Sequence, residues 1–194
     1  LSLQLDDLGA ARDYFTRLND SGQRKDDAAY YLGQVEEEAD NFDLALVWYQ
    51  KVAGTNAGDA QVRVARLLAR KGQIERAREI LHRLRDDDPD DQVTLYLVEA
   101  EILRELGRND DAMAVYGEAL EHSPDHTDLL YARGLHAVTV DRLDIMEGDL
   151  RAIIDADPNH ADALNALGYS LEHYTDRYQD ALGDIERALA LKPE

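Results

Sequence analysis

The chain has 194 residues, 44% of them hydrophobic and 7% aromatic, with 41 Asp and Glu against 21 Lys and Arg and a formal net charge of −20. So acidic a surface argues against nucleic acid, which needs a cationic face, and against an anionic membrane surface. Cysteine is absent, which excludes disulfides and thiolate sites without fixing a compartment, and no run of about 18 apolar residues is present to span a bilayer.

One pattern returns six times along the chain: DLGAARDYFTRL (7–18), NFDLALVWYQKV (41–52), QIERAREILHRL (73–84), RNDDAMAVYGEAL (108–120), RLDIMEGDLRAII (142–154) and RYQDALGDIERAL (177–189). Its anchors are Ala11, Ala45, Ala77, Ala112, Met146 and Ala181, separated by steps of 34, 32, 35, 34 and 35 residues. A fixed period of this length is the mark of an all-α solenoid of stacked antiparallel helix pairs, each unit touching mainly its neighbours.

Apolar spacing predicts eleven helices, near 4–19, 25–38, 41–53, 59–71, 73–86, 91–106, 109–121, 125–139, 142–155, 160–173 and 177–191. Residues 1–24 read as the second helix of a repeat whose first helix is missing, and 25–58, 59–91, 92–124, 125–158 and 159–194 as five full repeats of a single array. The chain starts at Leu1 inside a repeat, so it is expected to be a fragment of a longer protein. Ahead of each internal second helix stands a small residue, Gly33, Ala65, Ala100, Gly134 or Gly168, at the expected helix crossing, and in four of the five repeats it lies 12 residues before the anchor. Apolar residues four and seven after each anchor, such as Tyr49 and Val52 or Tyr116 and Ala119, are expected to fill the core. Pro89, Pro124 and Pro158 fall between repeats, where the Asp or Asn after the proline is expected to cap the next helix. The turn at 52–59 lacks the proline and is two residues short, and the turn at 172–180 is one residue long.

These residues resemble the tetratricopeptide-repeat family across the chain. The unit 161–193 carries Leu164, Leu167, Gly168, Leu171, Ala181, Ile185, Ala188 and Pro193 at the family's positions, while Met146 and Glu36 depart from its pattern. The resemblance implies a right-handed superhelical solenoid that binds other proteins. More narrowly, 30–52 and the ALNALGYSL stretch (163–171) resemble bacterial tetratricopeptide lipoproteins of the outer membrane, which are similar to adaptors that bring substrates to a periplasmic processing protease. That resemblance implies a periplasmic location under an outer-membrane-anchored parent, with the cytoplasm as the alternative. Chaperone-binding members use a Lys/Asn/Arg clamp for an acidic tail; the matching positions here hold Tyr30, Gln34, Val62 and Arg66, so the clamp is absent.

In a stack of helix pairs the first helices line the concave face. The residues expected to point there are Tyr30 and Gln34, Val62 and Arg66, Leu97 and Glu101, Tyr131 and Leu135, and Asn165 and Tyr169, with Glu38, Arg70, Glu105, Thr139 and His173 one turn further on. Tyrosine gives contact area at low entropic cost, so this lining fits a protein or peptide partner with apolar anchors. Between 59 and 85 eight cations face three acids, a patch that either receives an acidic segment of a partner or pairs with neighbouring acidic repeats.

No catalysis and no cofactor are expected. The chain has four serines and no G-x-S-x-G, Walker or dinucleotide motif. Pro124 interrupts the spacing of His122 and His126, so no metal is assigned to them, and the Asp-rich run 86–91 lacks the Gly and terminal Glu of a calcium loop and reads as an exposed turn. Glu36, Glu37 and Glu38 read as a helix end facing water, and Trp48 as either an exposed anchor or a ring half-covered by the next repeat. The expected function is a non-enzymatic scaffold or adaptor. The alternative is an assembly module that self-associates through its truncated ends.

Overall fold

The computed structural model describes residues 8–175 and 177–191. Within them run eleven α-helices: α1 (Leu8–Asp20), α2 (Lys25–Glu38), α3 (Phe42–Tyr49), α4 (Ala57–Arg70), α5 (Ile74–Asp87), α6 (Gln92–Glu105), α7 (Asn109–His122), α8 (Thr127–Ala137), α9 (Leu143–Ala156), α10 (Ala161–Tyr174) and α11 (Tyr178–Leu191). Short 3-10 turns lie at Gly54–Asn56, Pro89–Asp91 and Val138–Val140. Pro193 and the start of the first predicted helix lie outside the described residues. The chain divides into two compact units, Leu1–Gln92 and Val93–Glu194.

Four helix hairpins close in the same way. A residue with left-handed backbone follows the first helix: Asp40 (φ 57°), Gly72 (φ 78°), Gly107 (φ 71°) or Asp141 (φ 58°). Glycine adopts this conformation without a Cβ penalty, and aspartate is among the few other residues that tolerate it. The next N–H then reaches back five residues: Asn41 to the Glu36 carbonyl (2.8 Å), Gln73 to Leu68 (2.9 Å), Arg108 to Leu103 (2.8 Å) and Arg142 to Ala137 (2.9 Å). This bond satisfies carbonyls that the helix end leaves open and sets the antiparallel return. The fifth hairpin, with the long turn, differs: the Thr175 hydroxyl donates to the Leu171 carbonyl at 2.5 Å.

Two element ends differ from expectation. Helix α3 stops at Tyr49, four residues early, because the chain turns there through Val52 N–H to the Tyr49 carbonyl (3.1 Å) and then into Gly54 at φ 66°. Helix α8 ends at Ala137 and tightens into a 3-10 turn before Asp141. The inter-repeat prolines are capped from the other side to that expected. The carboxylates of Asp88 and Asp157, which precede proline, accept the N–H of Asp90 (3.2 Å) and Asn159 (3.0 Å). His160, at the N-cap of α10, accepts the Ala163 N–H through Nδ1 at 3.1 Å.

In the first unit α1 packs on α2, α2 on α3, α3 on α4 and α4 on α5; in the second, α7 to α11 pack successively. The anchors Ala45, Ala77, Ala112, Met146 and Ala181 are buried, and Tyr49, Leu81, Tyr116 and Leu150 fill the space one turn beyond. The small residues mark the closest approaches. A Cβ on Gly33 would stand 2.4 Å from the Tyr49 ring, and one on Gly168 2.6 Å from Ile185 Cγ1 and 3.0 Å from the Ala181 carbonyl oxygen.

The reading of Glu36 as a water-facing helix end is wrong. Glu36 is 1% exposed and sits where the other repeats place Leu68, Leu103, Ala137 and Leu171. The carboxylate is held from the preceding helix by Arg12 Nε (2.6 Å) and Nη2 (2.9 Å) and by Asn41 Nδ2 (2.9 Å), and the Arg12 bond holds its pKa below the usual carboxylate range. The second unit has a counterpart: buried Asp149 on α9 accepts Arg133 Nε (2.8 Å) and Nη2 (2.7 Å) from α8.

Adding a methyl group separates tight crossings from open ones. Gly33→Ala and Gly168→Ala should each destabilise by about 1–3 kcal/mol through overpacking, while Gly148→Ala, mid-helix in α9 with nothing near its Cβ, should stabilise by about 0.5–1 kcal/mol. Urea unfolding of the three variants checks the order, and loss of stability in Gly148→Ala would break it. For the Arg12–Glu36 pair, Glu36→Gln should cost about 1–3 kcal/mol by leaving the Arg12 bonds weakened, and Arg12→Met with Glu36→Leu should restore most of the loss. A double variant no more stable than Glu36→Gln in thermal unfolding would refute the pairing account.

Candidate functional site

The expected inner-face residues fall on two separate faces, α2 and α4 of the first unit and α6, α8 and α10 of the second. On the first, Tyr30, Gln34, Val62 and Arg66 are half-buried and Arg70 is exposed. Tyr30 is not a free anchor. Its hydroxyl donates to the Asp59 carboxylate and accepts from Arg63 Nε at 3.2 Å. Arg63 also donates Nη1 to Glu37 Oε2 (3.2 Å), which takes the Tyr49 hydroxyl at 2.7 Å. The guanidinium lies 5.7 Å from the Tyr30 ring centre and 6.0 Å from that of Tyr49, within the range of cation–π attraction. Burial and the Asp59 bond push the Tyr30 hydroxyl up, and burial with Glu37 does the same to Tyr49.

This network joins α2, α3 and α4, and sequence reasoning missed Arg63, Glu37 and Asp59 as members. The available signal was the excess of cations between 59 and 85. Part of that excess reaches back to acids of the preceding repeat, Arg63 to Glu37 and Lys71 to Asp43. Also missed was the aromatic run of the first unit. Tyr14 meets Phe15 edge-on at 5.2 Å, Phe15 stacks on Tyr31 at 4.9 Å, and Tyr31 meets Tyr30 at 5.6 Å. Trp48 is half-buried, and Lys51 Nζ lies 3.7 Å from its ring centre.

The second face is more open. Leu97 and Tyr131 are half-buried, Glu101 and Asn165 exposed, Leu135 42% exposed and Tyr169 56% exposed. The Tyr169 ring is stacked on the His173 imidazole at 5.6 Å with 9° between planes, and His173 meets Tyr174 edge-on at 4.7 Å. Tyr131 stands 6.3 Å from the His160 ring. Glu101, Arg104 and Glu105 of α6 line one shallow hollow with Asn109, His136 and Thr139, which sets α6 beside α8. Of the second tier, Glu38, Glu105, Thr139 and His173 are exposed.

His122 lies 6.3 Å from the Tyr96 ring and His126 precedes α8. Among the described residues no group of three or more His, Cys, Asp or Glu is placed to hold a metal ion, and no helix is long and apolar enough to cross a membrane.

His136 forms the floor of the α6–α8 hollow. It is 3% exposed, with Nε2 3.1 Å from the Asn109 carbonyl oxygen, so this nitrogen carries the proton. Burial lowers its pKa, opposed by the Asn109 bond and helped by Arg104. The folded chain therefore keeps the imidazole neutral, while the unfolded chain takes up a proton below about pH 6.5. The stabilisation is fully present above that value and is lost as pH falls through it. His136→Gln should flatten the decline in unfolding free energy between about pH 7.5 and 5.5; an unchanged slope would remove His136 as its source.

Comparison with known proteins agrees with this geometry. Tetratricopeptide-repeat models match residues 2–61 and 147–194, 38–100, and 93–136. The chain is 37% identical over 170 residues to the TPR repeat-containing protein PA4667 of Pseudomonas aeruginosa, which covers 87% of this chain but only 29% of that relative. Among solved structures it is similar to MamA (TM-score 0.59, 18% identity, 83% of this chain and 94% of that one). It is also similar to YrrB, described as a TPR protein with an unusual peptide-binding site (TM-score 0.56, 19% identity, 95% of each chain). With helix pairs in register from α2 to α11 and family models matching well over half its length, this chain belongs to the tetratricopeptide-repeat family.

Proposed function

We propose that the chain is a non-enzymatic interaction scaffold that holds a partner polypeptide along the inner faces of its first helices. The observation that carries this reading is the pair of large apolar side chains left open on the second unit, Tyr169 on α10 and Leu135 on α8, beside half-buried Tyr131. Folding does not use these surfaces, and rigid aromatic groups of this kind dominate binding energy where they are covered. The repeat family and the peptide-binding description of YrrB support the same reading. On the first unit the reading assigns ligand contact to Gln34, Val62, Arg66 and Arg70, with Tyr30 acting through its bond to Arg63.

Our finer reading is an adaptor that presents substrates to a periplasmic protease, within a longer parent anchored at the outer membrane. Its support is the texture of residues 30–52 and 163–171. A second reading, self-association, is favoured by one feature: Tyr178, Leu182 and Leu189 lie exposed along α11.

A photoreactive residue in place of Tyr169 should crosslink a partner within the parent protein, and Tyr131→Ala with Tyr169→Ala should weaken capture about tenfold or more while leaving helicity unchanged. Undiminished capture by the double variant would overturn the inner-face reading. Sedimentation of Leu182→Glu with Leu189→Glu tests the second reading, which requires these changes to dissociate an oligomer.

A further inference from the structure

In the second unit α8 packs on α7 and α10 on α9, whereas among the described residues no helix packs on the far side of α11. The difference shows at matching positions, three before, one after and eight after each anchor. On α7 these are Asn109, Met113 and Leu120, and on α9 Leu143, Glu147 and Ile154; all six are half-buried or buried. On α11 they are Tyr178, Leu182 and Leu189, which are 58%, 51% and 57% exposed. The side of α11 that faces α10 is closed, with Ala181 and Ala188 buried and Ile185 against Gly168. The open row is therefore the face that α9 gives to α10.

Steps of four, three and four residues set Tyr178, Leu182, Ile185 and Leu189 in one row along the helix. Beside the row stand exposed Gln179, Gly183, Glu186 and Ala190, so α11 brings a single carboxylate to this face. Its other acids lie on the opposite side and are paired, Asp180 with Arg177 and Asp184 with Arg187. Copies of a chain with a net charge of −20 repel each other over most of their surface. An apolar face with one acid is where two of them approach at small electrostatic cost.

We propose that α11 pairs with α11 of a second copy, antiparallel about a two-fold axis, the partner helix lying where α10 lies on α9. A two-fold contact uses the same patch on both copies, so the row must match itself when reversed. It does: an axis through its middle sets Tyr178 of one copy level with Leu189 of the partner subunit and brings the two Leu182 side chains together beside the axis. Removal of these side chains from water drives the pairing. This inference rests on the self-association reading above and adds the surface, the orientation and the symmetry. Such a dimer carries two inner faces, so a partner with two binding segments is held more firmly than a partner with one.

The test exploits the absence of cysteine from the chain. With a short bis-maleimide, Leu182→Cys should give a crosslinked dimer, while the control Glu121→Cys, at an exposed site on α7, should stay monomeric. Tyr178→Cys and Leu189→Cys should each crosslink poorly alone and well when mixed, because the antiparallel arrangement sets each opposite the other. In sedimentation the chain should form a dimer, and Leu182→Glu with Leu189→Glu should weaken it at least about tenfold. A monomer at every concentration, or a dimer indifferent to the two glutamates, would overturn both the proposal and the self-association reading. Dissociation by the glutamates without a Leu182→Cys crosslink, or with Tyr178→Cys crosslinking to itself, would overturn the two-fold pairing and leave self-association standing. Equal crosslinking of the control would overturn the pairing as well. In the parent protein, protection of Leu182→Cys from a monofunctional maleimide without any crosslink would do the same, because another helix of that chain would then cover the row. The altered side chains are exposed, and thermal unfolding of each variant confirms that its fold is intact.

Discussion

The close crossing of each first helix with its second is the constraint on which the rest depends. At Gly33 and Gly168 a single added carbon would fall well inside van der Waals contact with the facing helix. The ring of Tyr49 and the side chain of Ile185 occupy the room that the missing Cβ leaves. Because the helices meet there, the buried anchors on one helix and the small residues on the other form a single row of the core. The hairpin bond, repeated at four of the five turns, returns the second helix to that crossing.

Polar pairs then refine what the apolar rows build. A bare apolar row is nearly the same in every repeat, so it does little to distinguish one neighbour from another. Arg12–Glu36 and Arg133–Asp149 put a charge at a core position and supply its partner from the adjoining helix. Such pairs add little net stability against a well-packed apolar alternative, but an unpaired buried carboxylate is costly, so wrong registers are penalised. The Tyr30–Arg63–Glu37–Tyr49 network does the same for α2, α3 and α4.

The second unit spends its cations differently. Arg133, Arg151 and Arg177 bond carboxylates of α9, and Leu135 on α8 and Tyr169 on α10 stay exposed. The two faces thus offer different chemistry from one repeat pattern. The positions that build the core recur in every repeat, whereas the exposed positions on first helices are free to vary, and that is where binding specificity resides in stacked repeats.

The amino-acid pattern alone determined the repeat, the eleven helices, the buried anchors and the small residues at the crossings. Each of these is a periodic property of a single helix or of one hairpin, and a period near 34 residues is visible without coordinates. It also marked which residues share the exposed side of each first helix, so Leu135 and Tyr169 were legible as open positions. Only the tertiary structure decided what lies opposite a polar residue. Three consecutive glutamates at a helix end look solvated, yet Glu36 is buried because Arg12, 24 residues earlier, arrives from another helix. Tyr30 likewise looks free until Asp59 and Arg63, about one repeat later, close on its hydroxyl. Helical periodicity tells which way a side chain points, but a hydrogen-bond partner from a different helix is set by the packing of the two, and that has no period to read.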